Sequence, residues 1–155
     1  MSKDYKASVG SISHGTHHAS DLIDAYAFEL RRFRANTGEG RLTAQEVKLI
    51  DDCDKWLEAF GHLTEGEDDL DVYGALLDDL CEALDSRAPA YCYFGSNEGD
   101  GADFGFWPCM EQIEELPRVE NSDEARELGE DCIYVNDHGN VTVYGGDGSV
   151  ILELV

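Results

Sequence analysis

Hydrophobic periodicity begins only after a polar stretch, 1–19, whose small residues read as an arm or loop. Leu22, Ile23, Tyr26, Leu30 and Phe33 then recur at intervals of three and four, the spacing of one apolar helical face. Ser20 stands where an N-cap belongs. Asp21 and Asp24 occupy a first turn and Arg31, Arg32 and Arg34 a last turn, as the helix dipole favours. This predicts a helix over 20–35, closed by the glycine-rich 36–40. Thr43 with Glu46 forms a capping-box pattern, and Leu49, Ile50, Cys53, Trp56, Leu57 and Phe60 make the stripe of a second helix ending at Gly61. A third helix, 68–85, presents Leu70, Tyr73, Leu76, Leu77, Leu80 and Leu84, and Pro89 bars its extension. Three helices on short loops should pack as a unit.

The pattern then changes. Two aromatic runs, 91–94 and 103–107, flank a Gly- and Asp-rich loop and predict a hairpin. Pro108 precedes a short helix over 109–116, and Ser122 stands as cap of a further turn over 123–128. Segments 132–135, 140–144 and 149–155 read as strands, separated by Asn-, Asp- and Gly-bearing turns at 136–139 and 145–148. Helices first and strands afterwards predict an α+β fold: an N-terminal three-helix unit packed on a C-terminal antiparallel sheet of about five strands. With no repeat and no linker, the expectation is a single domain over 1–155, with an arm (1–19), a helical part (20–87) and a mainly sheet part (90–155).

Charge narrows the function. The 155 residues hold 34 acidic and 11 basic side chains, a net charge of −23, yet are 42% hydrophobic and 10% aromatic. A disordered acidic tail would have few aromatics. Direct binding to nucleic-acid phosphates through a broad basic surface is excluded, as is polybasic attachment to anionic lipid, because both need cations. Residues 1–48 carry seven basic and six acidic side chains, a net of +1; residues 49–155 carry four and 28, a net of −24. Five cysteines, no apolar leader and no run of 18 apolar residues lead us to expect a cytoplasmic protein with free, mostly buried thiols and no membrane association.

Several groups invite chemistry. His14, His17 and His18 fall within five residues and could ligate zinc, nickel or copper in a metal-dependent hydrolase, but no thiolate or carboxylate stands at a ligand spacing. The Asn97 to Asp103 loop interleaves carboxylates with glycines, as calcium sites do, without the twelve-residue EF-hand order; it reads as a hairpin turn. Asp137 beside His138 suggests a general base, with Cys92, Cys109 or Cys132 as nucleophile, yet neighbours in a tight turn are poorly placed to bond. The expectation is therefore a non-enzyme without cofactor or metal. More suggestive are the carboxylates of the second and third helices: Asp51, Asp52 and Glu58 on one, Asp71, Asp78, Asp79, Glu82 and Asp85 on the other, with Asp68 at the join. Carboxylates three or four residues apart on a helix lie about 5–6 Å apart at Cβ, comparable to a strand of phosphates. Such an array would suit a basic groove meant for DNA or RNA in a protein or ribonucleoprotein complex. The aromatic hairpin around Phe104, Phe106 and Trp107 offers an alternative: a protein-binding or scaffold domain using those rings.

The aromatic run Tyr91, Cys92, Tyr93 and Phe94, the stretch from Glu98 through Phe104, Phe106 and Trp107 to Pro108, and the segment from Val135 through Asn136, Asp137, His138 and Gly139 to Tyr144 have a further reading. With 10–16 and 21–25 they resemble small accessory proteins of tailed phages and prophages. That resemblance implies a context in which acidic proteins often inhibit host defence, as antirestriction and anti-CRISPR proteins that mimic nucleic acid do. It carries over no catalytic residue.

Overall fold

Leu22, Ile23, Tyr26, Ala27 and Leu30 are buried along helix α1 (Ala19–Arg31), and that face organises the first of two compact units, Met1–Trp107 and Pro108–Val155. The computed structural model describes residues 4–38, 40–60 and 70–154, with backbone alone at 70–73. The helix starts one residue before Ser20, with His18 at the cap and no side-chain capping bond. Its end tightens into a 3-10 turn, Arg32–Ala35, that buries Phe33. Helix α2 (Ala44–Phe60) begins at the expected capping box: the Thr43 N–H donates to Glu46 Oε1 at 2.9 Å, and the Glu46 N–H to Thr43 Oγ1 at 3.1 Å. Helix α3 (Leu70–Asp85) buries Leu80, Ala83 and Leu84. The three helices contact one another pairwise, and Ile50, Cys53 and Trp56 of α2 join the same core.

The sheet arrangement differs from expectation. Strands β1 (Gly10–Ser13), β2 (Cys92–Asn97) and β3 (Asp100–Pro108) form one sheet in the order β1-β3-β2. The polar arm thus contributes a strand, and the aromatic hairpin belongs with the helices. The reason lies in the rings. Tyr26 of α1 meets Phe94 edge-on at 4.9 Å and Phe104 at 6.1 Å, and Phe94 meets Phe106 at 5.2 Å. Gly105 admits β1 to the edge: a Cβ there would lie 2.1 Å from the Gly10 carbonyl oxygen, so only glycine allows the approach.

In the second unit, short helices α4 (Met110–Glu114) and α5 (Ser122–Leu128) precede strands β4 (Cys132–Val135), β5 (Val141–Tyr144) and β6 (Val150–Leu154). These form a separate antiparallel sheet, β4-β5-β6, with Cys132 opposite Tyr144 and Val143 opposite Leu152. It does not extend beyond β4, whose outer edge is bonded by Val119 N–H to Ile133 O and Ile133 N–H to Pro117 O, both 2.8 Å. Asn121, not Ser122, caps α5, accepting from the Glu124 N–H at 3.0 Å, and Gly129 ends it in the left-handed conformation. The fold is α+β, with two three-stranded antiparallel sheets in place of one of five. No helix among the described residues is long and apolar enough to cross a membrane.

Candidate acidic interaction surface

On α3, Asp78, Glu82 and Asp85 follow at i, i+4 and i+7 and are exposed; Asp79, also exposed, is turned toward α2. Asp71 falls on the same stripe by helical register, one turn pair earlier. Among the described residues no cation lies within ion-pair distance of Asp78, Asp79 or Glu82. Asp85 is partly committed elsewhere: its Oδ1 accepts the Phe94 N–H at 2.9 Å, fastening β2 to the end of α3.

The second helix contributes less than its composition suggests. Asp51 and Glu58 are exposed, with Lys55 at i+4 from the first and exposed beside them. Asp52 lies 3.9 Å from Lys48, and the neighbouring Asp54 pairs with Arg31 of α1 at 2.6 Å. The outward face of α2 is therefore mixed in charge, and the uncompensated stripe is on α3. Asp68 lies outside the described residues. The second unit is also acidic, with 12 acidic against two basic side chains, net −10; the first has 22 against nine, net −13.

Asp79 and Glu82 also line a groove of about 570 Å³ between α3 and the start of α2, with Thr43, Gln45 and Leu49 across from them. Nearby carboxylates leave their mark on two thiols. Burial, followed by the charges of Asp54, Asp52 and Asp79, pushes the Cys53 thiol up to about 12 against the opposing Arg31. Burial, with Asp78 and Asp85, pushes Cys81 up to about 11. Neither is a nucleophile near neutral pH.

At one end of the groove sits a group that periodicity did not single out. Arg87 is bidentate to Glu46 and donates to three backbone carbonyls, of Gly40, Arg41 and Ala83. Burial alone would raise the Glu46 carboxyl, but hydrogen bonds from Arg87 and Thr43 outweigh it and hold the group below its ordinary range. A signal existed: Arg87 is the only basic residue between Lys55 and Arg118, and a lone cation in so acidic a stretch should have a fixed partner.

The other candidates fare differently. His14, His17 and His18 are exposed, and His17 stands edge-on to Phe104 at 5.8 Å. Among the described residues no group of three His, Cys, Asp or Glu is placed to hold a metal ion, so the hydrolase reading has no geometric support. The expected Asn97 to Asp103 loop is shorter: Asn97 ends β2 and Asp100 to Asp103 belong to β3, leaving Glu98 and Gly99 as the turn, with Asn97 accepting from the Gly99 N–H and Asp100 from the Ala102 N–H. Asp137 and His138 are exposed at a turn bonded through Asn136. Cys132 is fully buried, with its thiol raised first by that burial. The rings proposed as one exposed patch are not one: Phe106 is 1% exposed, Phe104 packs against the core, and Trp107 Nε1 donates to the Gly95 carbonyl at 3.0 Å. Comparison with family models, with curated proteins and with solved structures gave no match.

Proposed function

We propose that this chain is a non-enzymatic, phage-encoded inhibitor of a host defence complex, which uses its acidic surface to occupy a basic nucleic-acid-binding site. The carrying observation is the α3 stripe, where Asp78, Asp79 and Glu82 are exposed without a compensating cation among the described residues, while Glu29, Glu46, Asp52 and Asp54 of the same unit are paired. An unneutralised row costs stability through self-repulsion. A basic partner would relieve that repulsion and be steered to it over a distance set by the salt. The phage context rests on the sequence resemblance. Asp71, Asp78 and Glu82 form the centre of the interface, with Asp51, Asp52 and Glu58 at its rim.

Phage plating on cells that express the chain and carry one restriction or RNA-guided nuclease system at a time tests this reading. Plating should rise by orders of magnitude on at least one such strain. The D71K/D78K/E82K variant should lose the effect while folding normally, because Asp78 and Glu82 make no internal bond among the described residues. No strain relieved, or full protection by the triple variant, would sink the proposal.

A further inference from the structure

The order β1-β3-β2 leaves the outer side of β1 without a neighbouring strand among the described residues. A groove of about 510 Å³ lies between the arm and α1, its lining reaching Phe106 of β3. Five consecutive residues, Ser8 to Ile12, line it. Of these, Gly10, Ser11 and Ile12 belong to β1, and Ser8 and Val9 precede it. A strand presenting one face would contribute every second residue, so three strand residues in succession present the backbone edge, with N–H and C=O groups that seek partners.

The opposite wall carries a pattern. Asp24, Phe28 and Arg32 stand at i, i+4 and i+8 of the helical run, an acid, an aromatic ring and a base in line at steps of about 6 Å. Phe28 is 62% exposed, more than any other large apolar side chain described. Asp24 is exposed with no cation in ion-pair range among the described residues. Arg32 is fixed rather than free: it stacks 4.0 Å over the Tyr5 ring and donates to the buried Glu29 at 3.2 Å. Half of its side chain remains exposed, leaving guanidinium donors for a ligand. Tyr5 donates to Glu29 at 2.5 Å and so closes that end. Because Tyr5 meets Glu29 and Arg32 while the short loop 14–18 returns the chain to Ala19, the arm runs antiparallel to α1. Ile12 therefore lies toward Asp24, and Ser8 toward Arg32.

We propose that this groove binds an extended peptide that adds antiparallel to the outer edge of β1 and whose α1-facing side chains read basic, apolar, acidic from its N-terminus. Side chains on one face of a strand are about 6.6–6.8 Å apart, close to the helical step, so three alternate residues reach Asp24, Phe28 and Arg32 together. β1 is only four residues long with a bulge between Ser11 and Ser13, which limits indiscriminate edge pairing. Backbone bonds supply part of the affinity, and the stripe supplies the selectivity. This site lies on α1 and the arm and does not depend on the α3 surface.

The test uses a fluorescein-labelled, end-blocked nonapeptide with Lys, Leu and Glu at alternate central positions in a threonine background, titrated with the full chain by anisotropy. Saturable binding is expected, and Phe28→Ala should weaken it about tenfold or more. Both Phe28 and Asp24 are exposed, so their variants should keep the native circular dichroism. Asp24→Lys should reverse the preference, favouring a peptide with Glu in place of Lys. N-methylation of one alternate set of peptide residues should abolish binding, and of the other set leave it intact. No saturation at millimolar chain, equal effects of both methylation patterns, or an unchanged preference in Asp24→Lys would overturn the proposal. So would self-association of the chain that Phe28→Ala removes, which would make a second copy the occupant.

Discussion

Arg87→Met removes a guanidinium that joins three parts of the first unit while keeping most of the apolar stem. The side chain is 7% exposed and its partner Glu46 15%. Its Nη2 donates to Glu46 Oε1 at 2.6 Å and to the Arg41 carbonyl at 3.0 Å, its Nε to the Gly40 carbonyl at 3.1 Å, and its Nη1 to the Ala83 carbonyl at 2.9 Å. It also lies 5.4 Å from the Phe33 ring. Breaking a buried pair from one side costs about 3–5 kcal/mol, chiefly through the charge left behind. Water reaches part of Glu46, so the lower end, about 3 kcal/mol, applies. Against a typical domain stability of about 5–15 kcal/mol this is a large share. Urea unfolding followed by the fluorescence of Trp56, buried in the same unit, should show a midpoint lower by about 1–3 M at unchanged slope. Glu46→Gln added to Arg87→Met should recover part of the loss by removing the unpaired charge. The pH dependence has a definite sign. The folded Glu46 carboxyl is held low, so its contribution is complete above the ordinary glutamate range and fades as pH falls through its own lower value. Arg87→Met should lack that component. A loss below about 1 kcal/mol, with the acid dependence unchanged, would refute the clamp and leave an ordinary solvated pair.

Other outcomes follow from single contacts. Asp85→Ala should cost about 1–2 kcal/mol, because the Phe94 N–H loses its acceptor; Asp85→Asn should keep stability while removing a charge from the stripe, as urea melts of the two would show. Gly105→Ala should unpair β1, since the added carbon meets the Gly10 carbonyl, and amide exchange over 10–13 should accelerate. Cys53, with a thiol raised to about 12, should resist a thiol reagent at about pH 8 until the chain unfolds.

What was legible in the sequence was local. Leu22 through Phe33 gave α1 because a buried stripe has a period, and Thr43 with Glu46 placed the start of α2 because the box is a four-residue pattern. The α+β class followed from the order of those periods. Strand partners were not legible. Ser11 and Ile12 of β1 sit in a polar arm without alternation, and their pairing depends on Gly105, more than ninety residues away, having no side chain. Nor could composition tell which carboxylates are free. Asp54 and Asp78 look alike in sequence, and only packing sets Arg31 beside the first and leaves the second without a cation among the described residues. The aromatic hairpin misled for a related reason: Phe106 and Trp107 alternate as an exposed strand would, but α1 covers the face that holds Phe106.

On the proposed function, the α3 carboxylates compete with nucleic acid for a basic site. The most direct test is displacement of a labelled DNA or RNA from a purified defence nuclease identified by the plating test, compared at about 50 and 200 mM salt. Full displacement is expected at low salt, a loss of potency of at least tenfold at high salt, and no displacement with D71K/D78K/E82K. Salt-independent displacement, or suppression of the nuclease with its nucleic acid still bound, would contradict it.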